Sequence, residues 1–249
     1  HQKMIDFYHT IAQKSAQHHL MLNLHSACKP TGIRKTYPHI LTREAVMGLK
    51  YSKWSHKITP EHNLTIPFTR MLAGPIDYST GGFDNVLPEN FKAQSEDPMV
   101  MGTRCHHLAM YVIFNSPLQM VSDHPSAYFN ERGLEFIKEV PVYWDNTIAI
   151  DGKIGDYIIM AREHNKHWYI GAMTDTTARS FHVPLKFLEK NNSFTATIFK
   201  DNQWSEKNPK ALDIQTIEVN STDTLQINMA PGGGYAAYIS PVENIKEEE

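Results

Sequence analysis

Cysteine is almost missing from this 249-residue chain: Cys28 and Cys105 are the only two. They fit no zinc spacing and no Cys-x-x-Cys motif, and two cysteines make no disulfide framework. They read as two free, largely buried thiols and leave the compartment open. Long apolar runs are missing too. None approaches the roughly 20 residues that a bilayer span needs, and the N-terminus carries no signal-peptide pattern. Neither sign of charge dominates: the formal charge is −3 and the pI is near 6.6. Lys and Arg are scattered with no polybasic run, which argues against a nucleic-acid partner. The longest like-charged block, Glu247 to Glu249, reads as a solvated tail. The chain lacks an initiating Met and opens inside a helix pattern, so it reads as a piece of a longer protein.

What is present is enough apolar residue, 41%, for a sizeable core. Two textures follow one another. Met4, Tyr8, Ile11 and Ala12 recur at helical spacing over residues 3–18. A short apolar run, 19–24, predicts a buried strand that stops at His25. Residues 38–47 read as loop-rich, and Thr65 to Gly74 is a further apolar segment. A polar loop with Gly and Pro runs from Ser79 to Pro98. Met99 to Asn115 predicts a helix, Pro117 to Ser122 a strand, and Glu131 to Glu139 a last short helix. This is an α/β order, with His25, Glu44, Arg70, Asp77 and Asp123 following the strand candidates. That is the geography of a (β/α)8 barrel, of which about half the strands are found, so the other half is expected to precede residue 1.

After Pro141 the pattern changes. Runs at 147–150, 157–161, 168–172, 180–185, 194–199, 225–229 and 235–239 are strand-length, divided by turn signals such as Asp151-Gly152 and Asn191-Asn192. The expectation is residues 1–140 as the second half of a (β/α)8 TIM barrel and residues 141–249 as an antiparallel β-sandwich domain. Pro231-Gly-Gly-Gly234 lacks the Lys and following helix of a phosphate loop and reads as a turn. His106-His107 lies within a helix pattern with no second pair at ligand spacing.

Short blocks in one order resemble glycoside hydrolase family 97, whose members cleave α-glucosides or α-galactosides. They include Lys29-Pro-Thr-Gly32, Arg34-x-Thr-Tyr-Pro38, Thr42-Arg-Glu44, Pro67-Phe-Thr-Arg-Met71, Ala73-Gly-Pro-Ile-Asp-Tyr78, Gly171-Ala-Met-Thr-Asp175 and Ala230-Pro-Gly-Gly-Gly234. The resemblance implies an N-terminal β-sandwich, a central (β/α)8 barrel and a C-terminal β-domain, this chain supplying the later part, with the missing N-terminal part of the same protein as its partner. It implies an oligosaccharide or α-galactoside substrate and a periplasmic or secreted bacterial location. Inverting members carry a Glu after the strand-end His. Ser26 stands there here, as in the retaining branch, whose Asp nucleophile lies on the preceding strand, absent from this chain.

The resemblance also implies roles for single residues. Lys50 falls where the family's acid/base Glu stands, with Gly48 and Tyr51 holding the register; were the register to slip, Glu44 would be the acid. An ammonium with an ordinary pKa near 10.4 is a poor proton donor to a leaving oxygen. Glu44 is implied as a calcium ligand, the one cofactor expected, or else as a loop carboxylate paired with Arg43 or Arg34. His25 is implied to bond a sugar hydroxyl, and Lys29, Thr36, His62 and Asn63 to touch sugar or shape its loops. Arg70 and Asp77 are expected to pair with each other. Tyr51 and Trp54 either stack on sugar or belong to the core. Two functions remain open: a glycosidase whose isolated fragment is inactive, and a catalytically impaired carbohydrate-binding relative.

Overall fold

A computed structural model describes residues 2–25, 27–28 and 30–242. Helix α1 (Gln2–Gln17) buries only Ala12 and Ser15. Ala12 packs on Ile33 and Ile40, with Leu22, Leu24 and Tyr37 around them. Strand β1 (Leu22–Leu24) runs parallel to β2 (Ile40–Arg43), the short helix α2 (Ile33–Thr36) joining them. The segment read as loop-rich thus contains a strand. Its four residues, Ile-Leu-Thr-Arg, are too short and too mixed to announce one, and pairing with β1 supplies what propensity does not. The parallel run continues as a bridge between Arg43 and Ile76, and a second parallel bridge joins Thr80 to Val121.

The expected strand at 117–122 shrinks to that one bridge. The apolar segment 65–74 is instead the end of α3 (Pro60–Thr65) followed by a 3-10 turn, Arg70–Ala73. Thr59 caps α3, its hydroxyl accepting from the His62 N–H, and Pro60 sits at the first helical position. Inside the expected polar loop, β3 (Asn85–Val86) pairs in parallel with β4 (Val100–Met101). Helix α4 (Arg104–Ile113) starts later than expected because Thr103 caps it. All ten of its residues are buried. Helix α5 (Leu134–Glu139) closes this part.

Eight strands follow: β5 (Asn146–Lys153), β6 (Tyr157–His164), β7 (His167–Thr174), β8 (Arg179–Pro184), β9 (Phe194–Lys200), β10 (Asp213–Val219), β11 (Thr224–Met229) and β12 (Gly234–Pro241). Six form an antiparallel sheet in the order β10-β9-β12-β7-β6-β5, and β8 pairs with β11 in a separate antiparallel layer. Strand β10 went unseen in the sequence. It is an edge strand with little buried: Ile217 and Val219 pack on one face and Ile214 on the other.

The central strands are buried on both faces. In β6, Ile159 and Ala161 face β8 and β11, while Ile158 and Met160 face α4. This period-2 division explains why β6 and β7 read as continuous apolar runs. Helix α4 lies on the sheet through two glycines. A Cβ at Gly171 would stand 2.8 Å from the Val112 side chain, and one at Gly234 2.4 Å from the His106 backbone nitrogen.

Candidate active site

Because β1, β2 and the Ile76 bridge are parallel, the residues after them gather at one end. These are His25, Glu44 and Asp77. Glu44 extends the ladder, its N–H donating to the Leu24 carbonyl at 2.9 Å. Side chains from three consecutive strand ends join in one network. Thr42 Oγ1 donates to Asn23 Oδ1 at 2.8 Å, and Asn23 Nδ2 donates to Asp77 Oδ2 at 2.7 Å. His25 Nε2 meets the same Asp77 oxygen at 2.5 Å. The Asp77 side chain is 3% exposed and that of His25 55%. Asp77 therefore anchors the exposed imidazole through Nε2. Asp77 Oδ1 is buried with no hydrogen-bond partner among the described residues.

The expected Arg70–Asp77 pair does not form. Arg70 instead donates to the carbonyls of Ala45 at 3.1 Å and Arg43 at 2.9 Å, and to those of Gly74 and Pro75. It buckles the loop after β2 to the loop before Asp77. Burial, with Arg43 nearby, lowers its pKa. Arg43 is buried, donates to the Cys28 carbonyl at 3.2 Å and lies over the Tyr8 ring.

Lys50 stands on a 3-10 turn, Leu49–Lys53, and its ammonium is ion-paired with Glu44 Oε1. Gly48 sets that turn. The Leu49 N–H donates to the Tyr78 carbonyl at 3.0 Å, and a Cβ at Gly48 would come within 2.9 Å of the same oxygen. Only glycine permits that approach, so the turn that carries Lys50 is tied to the chain beside Asp77.

The remaining candidates fall elsewhere. Asn63 is 1% exposed and its amide is spent internally: Oδ1 accepts from Tyr78 Oη, and Nδ2 lies 3.1 Å from His106 Nε2. It is an interior residue and not a sugar contact. His62 Nε2 bonds the Met47 carbonyl at 2.7 Å, which makes it a support for the Glu44–Gly48 loop. Thr36 is exposed on α2, which leads into the start of β2, away from the end that carries Glu44. Ser26 and Lys29 lie outside the described residues. Tyr51 and Trp54 pack against each other with ring centroids 5.3 Å apart, Trp54 being largely exposed. The Asn23–Thr42 part of the network was missed. Its signal was a lone polar residue between Leu22 and Leu24, the inward position of a short strand.

Asp123, after the Val121 bridge, accepts from the Phe83 N–H at 2.6 Å, and burial raises its pKa. It borders an open cavity of about 460 Å³ that Lys53, Asp84, His124 and Lys210 also line. None of His25, Glu44, Lys50 and Asp77 lines it. No group of three or more His, Cys, Asp or Glu side chains stands together as a metal site among the described residues.

The arrangement is one of parallel strands with ionisable side chains at one end, backed by an antiparallel β-domain. Residues 143–240 match the family model for the glycosyl hydrolase 97 C-terminal, oligomerisation domain, and residues 1–46 that of glycoside hydrolase 97. A retaining α-galactosidase of Bacteroides thetaiotaomicron is 38% identical over 241 residues, 96% of this chain and 36% of that protein. A probable retaining α-galactosidase of Streptomyces bingchenggensis is 29% identical over 95% of this chain and 34% of that protein. A solved family 97 enzyme of Pseudoalteromonas sp. strain K8, in complex with acarbose, superimposes with a TM-score of 0.90 at 36% identity, covering 97% of this chain and 38% of that one. The chain belongs to glycoside hydrolase family 97. It spans about a third of the length of these relatives.

Proposed function

We propose that this chain is the C-terminal part of a retaining glycosidase that removes terminal α-linked sugars, α-galactosides ahead of α-glucosides, and that residues 1–140 complete the second half of its (β/α)8 barrel. The observation that carries this reading is the strand-end cluster of His25, Asp77, Glu44 and Lys50 in a chain 38% identical to a retaining α-galactosidase. The two parallel bridges beyond β1 and β2 support the barrel reading, since parallel strands with chemistry at one end are its signature.

A retaining reaction takes two carboxyl groups about 5–5.5 Å apart. One attacks the anomeric carbon as the glycosidic bond breaks. The other gives a proton to the departing oxygen and then takes one from water. By family resemblance the nucleophile is an Asp on the strand before β1. His25, held through Nε2, presents Nδ1 to a sugar hydroxyl. Lys50 stands at the donor position, and its ammonium is engaged with Glu44. That pair is the ground for a second reading, a catalytically impaired carbohydrate-binding relative.

The deciding experiment is proton NMR of an aryl α-galactoside during its first turnovers by the full protein. Release of α-galactose first supports the proposal. β-Galactose appearing first removes the retaining assignment, and tight binding without release favours the impaired relative.

A further inference from the structure

Family resemblance points to calcium at Glu44, and the side chains around Glu44 do not fit it. Calcium takes six to eight oxygen ligands, several of them carboxylates. No group of three or more His, Cys, Asp or Glu side chains stands together among the described residues. Oε1 of Glu44 meets the Lys50 ammonium, which has three hydrogens to give and no lone pair to offer a metal. We propose that Lys50 is a tethered replacement for a divalent cation: its ammonium sets a positive charge against the buried Glu44 carboxylate, and the protein does not take calcium at its strand-end site.

Three observations carry this. First, the Glu44 side chain is 8% exposed. A carboxylate that deep needs a compensating charge within contact. Second, the ammonium does not arrive there on a free loop. The turn Leu49–Lys53 is fixed by the Leu49-to-Tyr78 hydrogen bond and by Gly48, where no larger residue fits. Third, the Lys50 ammonium is in contact with Glu44 Oε1 while its side chain is only 37% exposed, so a cation at that oxygen would have to displace a like charge held in place. The inference deepens the proposed function, because it assigns an electrostatic role to a residue at the substrate end. It is tested by metal binding, so it stands or falls separately from any sugar reaction.

The experiment measures melting temperature and terbium luminescence of the full protein in EDTA and in about 10 mM calcium. The parent is expected to melt within about 1 °C in both and to show no calcium-displaceable terbium signal. Lys50→Glu is expected to melt lower in EDTA, because two carboxylates then face each other. It should recover by about 3–10 °C in calcium, as a site of ordinary extracellular affinity would. Lys50→Gln, which removes the ammonium and keeps an oxygen donor, serves should the glutamate variant not fold. It is expected to gain a smaller calcium response. A parent that binds calcium reversibly overturns the proposal, as does a folded Lys50→Glu or Lys50→Gln protein with no calcium response.

Discussion

In the proposed function Lys50 occupies the donor position and so limits which leaving groups the site can expel. A phenolate of low pKa departs without a proton, whereas a sugar alkoxide needs almost full proton delivery. General acid help is worth ~10²–10⁴-fold. Lys50→Glu in the full protein should therefore raise turnover of sugar and alkyl α-galactosides by about that factor and change aryl substrates much less. Measured across a leaving-group series, equal effects on all substrates would remove Lys50 from the donor position. Asp77 acts through its neighbours. Its Oδ2 accepts from Asn23 and meets His25 Nε2, so Asp77→Asn weakens the hold on the imidazole while keeping the volume. We expect a folded protein with kcat/KM for aryl α-galactosides down about 10²-fold, the scale on which misplacement of a positioned group acts. An unchanged kcat/KM would make Asp77 a purely structural residue. His25 was legible in sequence because an apolar run ends on it, although the strand is only Leu22–Leu24, half-buried, with Leu20 and Met21 exposed. Its partner was not. Arg70 and Asp77 are close in the chain and of opposite charge, and charge with proximity suggests a pair. The fold instead turns Arg70 onto carbonyls and brings Asn23 and His25 to Asp77 from 54 and 52 residues away.

The element that joins the two parts is α4. It lies across β7 and β12 with no exposed face. Gly171 is where β7 meets it: an added Cβ would stand 2.8 Å from the Val112 side chain and 2.9 Å from the Ala109 carbonyl. A helix backbone cannot yield locally, so Gly171→Ala should lift α4 from the sheet and cost about 1–3 kcal/mol. At this chain length that lowers the melting temperature by about 2–4 °C per kcal/mol. Calorimetry of the single variant checks it, and an unshifted Tm would mean that the helix has slack over β7. The helix and the strands it covers were legible, since both are strongly apolar. The two-residue strands β3 and β4 and the edge strand β10 were not. Their pairing is decided by partners distant in sequence, and too few inward residues exist to print a period. The Pro231-Gly-Gly-Gly234 turn was read correctly as a turn, but its seat on α4 was hidden. Its carbonyls accept from the Thr103 N–H at 2.9 Å and the Thr174 N–H at 3.0 Å, a contact only the folded chain reveals.

That seat makes the whole molecule sensitive to acid. A hydrogen-bond chain crosses from the strand ends to the β-domain. Tyr78 Oη donates to Asn63 Oδ1, Asn63 Nδ2 donates to His106 Nε2, and His106 Nδ1 donates to the Gly233 carbonyl at 3.1 Å. The order requires a neutral His106. Burial pushes its pKa down to about 4 and that of His107 to about 3, both from 6.5. Beside them, Asp201 Oδ2 accepts from the Ala230 and Gly234 N–H groups, and burial raises its pKa from 3.8 to about 6. The two effects oppose. A depressed histidine contributes fully above pH 6.5, and its contribution is lost as pH falls toward the folded value. A raised carboxyl contributes fully below 3.8, and its contribution is lost as pH rises to 6. At pH 5 the unfolded chain holds two histidine protons and the folded chain one Asp201 proton, so the difference is 2 − 1 = 1 proton. These three groups together should therefore add about 1.4 kcal/mol of stability per pH unit through that window, and their contribution levels off above pH 6.5. Asp201→Asn removes the opposing carboxyl. Its melting temperature should fall about twice as steeply between pH 6 and 4.5 as the parent's, whatever its absolute value at neutral pH. Calorimetry at half-unit steps reads both slopes. A flat parent profile would mean that the buried histidines reach solvent before the molecule unfolds. An unchanged slope in the variant would mean that Asp201 is already ionised in the folded protein.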